Sequence, residues 1–355
     1  MRIQDVYDAQ GALAYVEAND PSNAMPYVGA AFFPARKQVG IDLKWIKGRK
    51  GVGVALKPSN FDALSTIRAR KGFTFTKTEM PFFRESMIVK EQDEMDIMRV
   101  QQMNDPLLNQ VLTNVYDDVA ELTTGADIVA EQMRMQLLSA NGGNMGIAIE
   151  TNDQKYVYDY DPDGTWKATH YVEITQAADK WGTATAKPLT NINTGKEYLA
   201  SIGVVAQYVL LTTATYLKML SADEIKNAMV TISGMPVAYL DREALDAVFA
   251  RKTGLIPVLY DKQYGDYDGL SKKFFPDNYV TIIGAGKLGD TVYGTTPEER
   301  TLMGDSKVDV AVKGQGVAIA VQTLYGPPVQ TKTTVSEIVL PSFEGMDNIY
   351  VMKVA

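Results

Sequence analysis

The chain holds 355 residues, 46% of them hydrophobic, which is enough to bury a large core and to divide into two or more compact units. With no cysteine and one histidine, His170, it carries no disulfide framework, no thiolate nucleophile and little scope for transition-metal chemistry. Its formal net charge of −8 argues against a surface that binds nucleic acid throughout. The opening MRIQDVYDAQGALAYVEAND has acids among short apolar pieces, unlike a signal peptide, and no apolar run approaches membrane-spanning length.

That average hides an asymmetry along the chain. From Arg36 to Lys71, the bases Arg36, Lys37, Lys44, Lys47, Arg49, Lys50, Lys57, Arg68, Arg70 and Lys71 are opposed only by Asp42 and Asp62. Within this stretch KQVGIDLKWIKGRKGVGVALKPSN mixes β-branched and aromatic residues with Gly48, Gly51 and Gly53, the pattern of a long, glycine-tipped hairpin. Such a ribbon is marginal alone and needs a surface to rest on. Trp45 among the lysines admits a nucleic-acid reading by base stacking, although aromatic interleaving is thin.

The next stretch is as strongly acidic: Glu91, Asp93, Glu94, Asp96, Asp105, Asp117, Asp118, Glu121, Asp127 and Glu131 meet Arg99 alone. Two readings stand, a pair of solvated faces, or one segment lying on the other within a molecule or between neighbours. The acidic stretch also holds the strongest helix signal. Asp105 suits an N-cap with Pro106 at the first helical position. Leu108, Val111, Leu112, Val115, Val119, Leu122, Val129, Met133 and Leu137 recur mostly at three- and four-residue intervals, and Asn141-Gly142-Gly143 supplies a stop. The spacing predicts one amphipathic helix of about 50 Å at roughly 1.5 Å per residue, its outer face carrying the acids, unless Gly125 bends it. Met95, Met98 and Met103 read as core or interface filler.

Beyond the helix the texture is that of an α+β region. Tyr156 to Ile174 predicts a hairpin around Asp161-Pro162-Asp163-Gly164, with His170 a strand residue. The same stretch imitates a calcium loop through Asp159, Asp161, Asp163 and Gly164. Lys167 and His170 stand where ligands belong, however, and no helix precedes it. Gly195 to Ile202, Ala222 to Met229 behind a Ser221/Glu224 capping box, and Asp241 to Arg251 predict short helices, with strands at Val204 to Thr212 and Leu255 to Tyr260.

YVTIIGAGKLGD, Tyr279 to Asp290, places Gly284, Gly286 and Gly289 in G-x-G-x-x-G spacing, with Asp309 as a distant acidic partner. A dinucleotide site needs a helix opening at the last glycine, because the free amides of that helix hold the pyrophosphate. DTVYGTTPEER, which follows, is poor helix material, so a tight loop between strands is the simpler expectation. NTGKEY lacks the first glycine of a phosphate loop and has Glu197 where Ser or Thr belongs. No G-x-S-x-G elbow occurs and H-E-x-x-H is impossible, so no catalytic residue, cofactor or metal is assigned. VDVAV, GVAIAVQTLYG, TTVSEIVLP and NIYVMKV close the chain as strands.

LYDKQYGDYDGLSKKFFPDNYVTIIGAGKLGDTVYGTTPEE, Leu259 to Glu299, resembles the late axial-domain segment of the lambda-type major capsid proteins, the phage protein E family. The block Phe274-Phe275-Pro276-Asp277-Asn278 is its heart, and the order of arm, basic hairpin, long helix, mixed domain and closing strands agrees. The resemblance implies an α+β fold of HK-97 type. It assigns an N-terminal arm to 1–35, an extended loop to 36–87, a peripheral domain with the spine helix Pro106 to Ala140 to 88–164 and 301–355, and an axial domain to 165–300.

The function so implied is that of a major capsid protein of a tailed bacteriophage, self-assembling into the icosahedral shell around the DNA genome. The subunit would form hexamers and pentamers of the virion capsid, assemble in the host cytoplasm, and meet portal, scaffold and decoration proteins, with no enzymatic activity, specific nucleic-acid binding or membrane contact. The charge asymmetry then places Arg36, Lys37, Lys44, Lys47, Arg49, Lys50, Arg68, Arg70 and Lys71 of one subunit against Glu91, Asp93, Glu94, Asp96, Asp117 and Asp118 of the next. A bacterial nanocompartment shell of the same fold is the alternative, and a nicotinamide-dependent oxidoreductase a distant one.

Overall fold

A computed structural model describes residues 8–20, 25–48, 73–89, 107–150, 155–233, 242–266, 269–301, 308–324, 326 and 330–355. Helix α1 (Ala9–Ala18) is capped by Asp8, whose carboxylate accepts the Gly11 N–H, and α2 (Val28–Phe32) follows. Next come β1 (Ala35–Lys37), β2 (Asp42–Gly48), β3 (Phe73–Glu79), β4 (Phe82–Val89) and the long helix α3 (Leu107–Leu138). Then follow β5 (Gly146–Glu150), β6 (Lys155–Asp159), α4 (Lys167–His170), β7 (Tyr171–Glu173), α5 (Pro188–Ser201), β8 (Ala206–Leu211), α6 (Thr213–Leu217), α7 (Asp223–Ser233) and α8 (Arg242–Thr253). The remainder is mostly strand: β9 (Ile256–Leu259), β10 (Gln263–Gly265), β11 (Ser271–Lys273), β12 (Tyr279–Gly284), β13 (Thr291–Tyr293), α9 (Pro297–Thr301), β14 (Val308–Lys313), β15 (Val317–Leu324), β16 (Gln330–Pro341) and β17 (Ile349–Lys353).

The chain divides into two compact units. The first takes Met1–Lys44, Lys77–Met133 and Gly289–Ser342; the second takes Trp45–Thr76, Arg134–Leu288 and Phe343–Ala355. The ranges 88–164 with 301–355, and 165–300, expected from the sequence, do not coincide with these units. The reason is strand pairing across long separations. β17 hydrogen-bonds to β12 and β7 and so belongs to the second unit, whereas β13 pairs with β16 in the first.

In the first unit a six-stranded sheet runs β1-β13-β16-β15-β14, with β4 also on β16. Both ends of the expected extended loop 36–87 are therefore sheet strands: β1 lies parallel to β13, and β4 pairs with Thr331 through Ile338. The ribbon proper is the two-stranded pair β2-β3, so the partner of β2 begins at Phe73 and not just past Gly53. Val16 of α1 and Val115, Val119, Leu122 and Ala126 of α3 pack with Ile319, Val321 and Val335 of the sheet in one core. The long helix thus forms for the reason its spacing predicts, an apolar stripe with a sheet to cover. Gly125 does not interrupt it. It stops where Ala140, Asn141, Gly142 and Gly143 all take positive φ, a run that a helix cannot continue through.

The acids of α3 are not all on an outer face. Glu131 is fully buried and accepts the Gly29 N–H at 2.8 Å, capping α2. Asp127 and Asp20 converge on Lys313 of β14, at 2.8 and 2.6 Å, joining helix, arm and sheet. Burial by itself would lower the Lys313 pKa, but the two carboxylates prevail and hold it above its ordinary value.

In the second unit a five-stranded sheet runs β7-β17-β12-β8-β9, parallel at its two ends and antiparallel between. Ile192 and Leu199 of α5, Ile225 of α7 and Phe249 of α8 bury against Val209, Val280 and Ile282 of that sheet. The expected capping box is not made as read: the Glu224 carboxylate accepts the N–H groups of Leu189 and Thr190, at 2.7 and 3.1 Å, and so caps α5 instead of its own helix. The expected hairpin across 156–174 is also absent. β6 pairs backwards with β5, and after a turn and α4 the chain enters β7 parallel to β17. His170 accordingly ends a short helix and is not a strand residue.

The block Phe274-Phe275-Pro276-Asp277-Asn278 is a junction. Phe275 is fully buried, and Asp277 accepts from Thr212 Oγ1 at 2.6 Å and Lys273 Nζ at 2.8 Å. Asn278 takes φ 69°, receives Lys218 Nζ on its side chain, donates its N–H to Thr215 Oγ1 and accepts the Val354 N–H on its carbonyl. Asparagine tolerates the left-handed region and still offers a side-chain acceptor, which alanine does not.

Two stability tests follow from these contacts. Lys313→Met leaves two part-buried carboxylates without their cation and should lower unfolding free energy by about 3 kcal/mol in urea titration at neutral pH. Because the Lys313 pKa is raised in the fold, its contribution is complete below about pH 10.5 and is lost as pH climbs through the higher folded value. Asn278→Ala should cost about 1–2 kcal/mol in the same assay, and Asn278→Gly, which keeps the backbone conformation, distinctly less.

Candidate assembly surface

Of the residues assigned to an interface, Arg49, Lys50, Arg68, Arg70, Lys71, Glu91, Asp93, Glu94 and Asp96 lie outside the described residues. The others divide by partner. Arg36 and Lys37 on β1 pair within the chain, Arg36 with Asp290 at 3.6 Å and Lys37 with Glu299 at 2.5 Å. Asp117 on α3 accepts the Tyr15 hydroxyl at 2.6 Å, and the Tyr15 ring stacks on Tyr116 with centroids 5.3 Å apart. The two cations are matched internally, whereas Asp117 holds a neutral hydroxyl. Lys44 is exposed on β2, with Lys47 further along the same strand, and Asp118 and Glu121 are exposed on α3.

Sequence reasoning missed the inward carboxylates. Glu298 of α9 is buried, accepts from Ser336 Oγ at 2.8 Å and pairs with Arg84 of β4. Thr123, Asp127 and Glu131 step by four residues along the border of the apolar stripe, a signal that helical spacing already held. Glu298 had no such local signal, since Ser336 and Arg84 reach it from strands far away in sequence.

A small void of about 10 Å³, room for roughly one water, lies between α3 and β4. Met87, Val89, Val115, Val119 and Leu122 line it together with Thr333, and Asp118 stands at it.

Two chemical motifs resolve into architecture. In the calcium-like loop the Asp161 carboxylate accepts the N–H groups of Trp166 and Lys167, at 3.0 and 2.9 Å, and Asp159 accepts the Asp161 N–H at 2.9 Å. Those oxygens cap α4 and tighten the turn before it. In the glycine motif β13 follows Gly289 where a dinucleotide fold opens a helix. A Cβ on Gly284 would lie 2.5 Å from Val204 Cγ1, so that glycine serves close packing. Asp309 accepts the Ala9 N–H at 2.7 Å, the work of a helix-start acceptor, and the oxidoreductase alternative falls with the missing helix.

The sequence matches the family described as phage major capsid protein E over residues 12–323. The chain belongs to that family. None of the curated proteins matches it. Among solved structures, a prophage protein of E. coli CFT073 assigned as a capsid protein superposes with a TM-score of 0.58 at 14% identity, covering 98% of this chain and 99% of that one. A phage-related protein of Bordetella bronchiseptica RB50 gives 0.49 at 13% identity, covering 100% and 98%. A chain of the cyanophage A-1(L) capsid gives 0.48 at 13% identity, covering 93% and 92%.

This capsid protein has the HK-97-type fold, and its function is that of a tailed-phage major capsid protein, a structural component of the icosahedral shell. The family match favours the virus coat over the nanocompartment alternative.

The setting of His170 predicts a response to acid. His170 is buried, its ring stacked on Trp166 and edge-on to Tyr198, with Nδ1 at 2.8 Å from Thr169 Oγ1 and Nε2 lacking a hydrogen-bond partner. Burial, against the pull of Asp347 and Asp161, holds its pKa below the ordinary imidazole value. A depressed histidine favours the fold above its unfolded pKa of about 6.5 and loses that contribution as pH falls toward the folded value. The urea midpoint should therefore drop on acidification below about pH 6.5, by up to about 1.4 kcal/mol per pH unit, and His170→Phe should remove that portion of the slope.

Proposed function

We propose that the subunits of this shell interlock by charge, the basic ribbon of one copy lying along the acidic flank of α3 in its neighbour. The supporting observation is the opposite charge of two exposed surfaces. Lys44 is exposed at the root of the β2-β3 ribbon, and Asp118 and Glu121 are exposed one helical turn apart. Lys47, Arg49, Lys50, Arg68, Arg70 and Lys71 continue the positive charge along the sequence, as Glu91, Asp93, Glu94 and Asp96 continue the negative. Each exposed pair is worth on the order of 0–1 kcal/mol. Repetition supplies the rest, because every subunit gives one ribbon and receives another around closed rings.

On this reading the first compact unit with α3 is the peripheral domain, the second is the axial domain, and hexamers and pentamers form through their neighbours' ribbons. The subunit assembles in the host cytoplasm, catalyses nothing, and meets portal, scaffold and decoration proteins at the shell. The net charge of −8 limits adhesion of the wall to packaged DNA without sequence-specific contact.

Replacing Lys44, Lys47, Arg49 and Lys50 together by Gln should leave the subunit folded by circular dichroism while lowering particle yield in sedimentation and electron microscopy. Wild-type assembly should weaken as salt rises, the screening length shrinking from roughly 10 Å at 0.1 M to 3 Å at 1 M. Yields that are indifferent both to the substitutions and to salt refute charge docking.

A further inference from the structure

The hairpin β5-β6 pairs with no other strand among the described residues, and its two outer edges differ. The edge of β5 is closed from α3. The Gln136 side chain donates its amide to the Ala148 carbonyl at 2.9 Å and accepts the Ala148 N–H at 2.8 Å, taking the place of a neighbouring strand. Those bonds also fix which way β6 faces. Ala148 stands opposite Val157 in the antiparallel register, and since its backbone groups turn away from β6, the Val157 N–H and C=O turn away from β5. The backbone groups of Lys155 and Asp159 share that direction. Among the described residues β6 therefore offers an open ladder edge, with Val157 60% exposed at its centre and Lys155 and Asp159 exposed at its ends. Tyr156 and Tyr158, on the opposite face, are half-buried.

Charged ends on an edge strand are an ordinary way to keep other chains off it. Here their order does more than repel. Lys155-Tyr156-Val157-Tyr158-Asp159 is its own complement when a second copy runs antiparallel: Val157 meets Val157, each tyrosine meets the other, and each Lys155 meets an Asp159. A parallel copy would set lysine beside lysine and aspartate beside aspartate, and a slip along the strand would set Val157 beside a charge. We infer that β6 is a two-fold contact between copies of this chain, joined strand to strand and antiparallel with Val157 on the axis. Lys155, Val157 and Asp159 exchange backbone N–H···O=C bonds with the second copy, so that two marginal hairpins become one larger sheet. Lys155 Nζ, 3.0 Å from the exposed Glu150, keeps that partner and gains a second carboxylate. The inference rests on the shell reading above, since both copies are shell subunits, and adds a different kind of joint. A ribbon lying on the next copy is head-to-tail and closes rings, whereas a strand paired with itself is isologous and ties copies together two by two.

With no cysteine in the chain, Val157→Cys tests the axis by itself. Residues facing each other in a hydrogen-bonded antiparallel pair have Cα atoms about 5.5 Å apart, inside the range a disulfide spans. Oxidised particles should give a covalent dimer on a non-reducing gel and nothing larger, and dilute, dissociated subunits should stay monomeric. Lys155→Cys particles should also stay monomeric, because the two copies of that residue lie about 14 Å apart across the axis at roughly 3.4 Å per residue. Separately, Val157→Lys sets two like charges on the axis. It should leave the melting temperature nearly unchanged, the site being exposed, while raising the subunit concentration needed for assembly at least about tenfold. Val157→Cys particles that oxidise without dimers, Lys155→Cys particles that dimerise as readily, or normal assembly of Val157→Lys overturn the two-fold strand contact while leaving the shell reading in place. Wild-type subunits that form no particles under any condition overturn both.

Discussion

The first unit depends on one strand. β16, Gln330–Pro341, is paired along one edge with β15 and along the other with β4 and then β13, so a single extended segment sets the register of strands drawn from three distant parts of the chain. A slip of one residue would exchange the buried and exposed sides of every partner at once. β16 is buried along most of its length, and Val335 joins Val119 and Leu122 in the same core. The helix is thus fixed by the sheet it covers, and its length follows from the apolar stripe it must bury.

Charge is used twice in this molecule. Part of it is spent inside the fold, where Asp20 and Asp127 close on Lys313, Glu131 caps α2, and Glu298 takes Ser336 and Arg84. Removing a partner from such a group leaves an uncompensated charge out of water, so these residues stabilise one arrangement of helix and strands against others. Other charges stand exposed on the surface, Lys44 on the ribbon and Asp118 with Glu121 on the helix, and exposed charges suit repeated weak contacts between copies. The two uses are indistinguishable in a list of charges along the sequence.

The segment that carries the family likeness has a physical account of its own. Phe275 is buried, Asp277 binds a threonine and a lysine, and Asn278 holds a left-handed turn while bonding to Lys218, Thr215 and the Val354 backbone. Such a junction ties the start of β12 to the end of β8 and the last residues of the chain. The neighbouring glycine spacing, which imitates a cofactor loop, has a packing origin at Gly284.

Local physics wrote much of this protein plainly. The three- and four-residue spacing of Val115, Val119 and Leu122, and the Asn141-Gly142-Gly143 stop, determined a long helix and its end, and the alternating segments from Val308 onward determined strands. The helix-poor stretch after Gly289 already argued against a dinucleotide site. Only the tertiary structure decided that Glu224 caps α5, that Asp161 caps α4, that β6 turns back on β5, and that β17 joins the second unit. Helix periodicity and turn chemistry are settled within a few residues of the chain. The partner of a strand or a carboxylate is chosen by which distant surfaces meet in the folded protein, and no local pattern encodes that meeting.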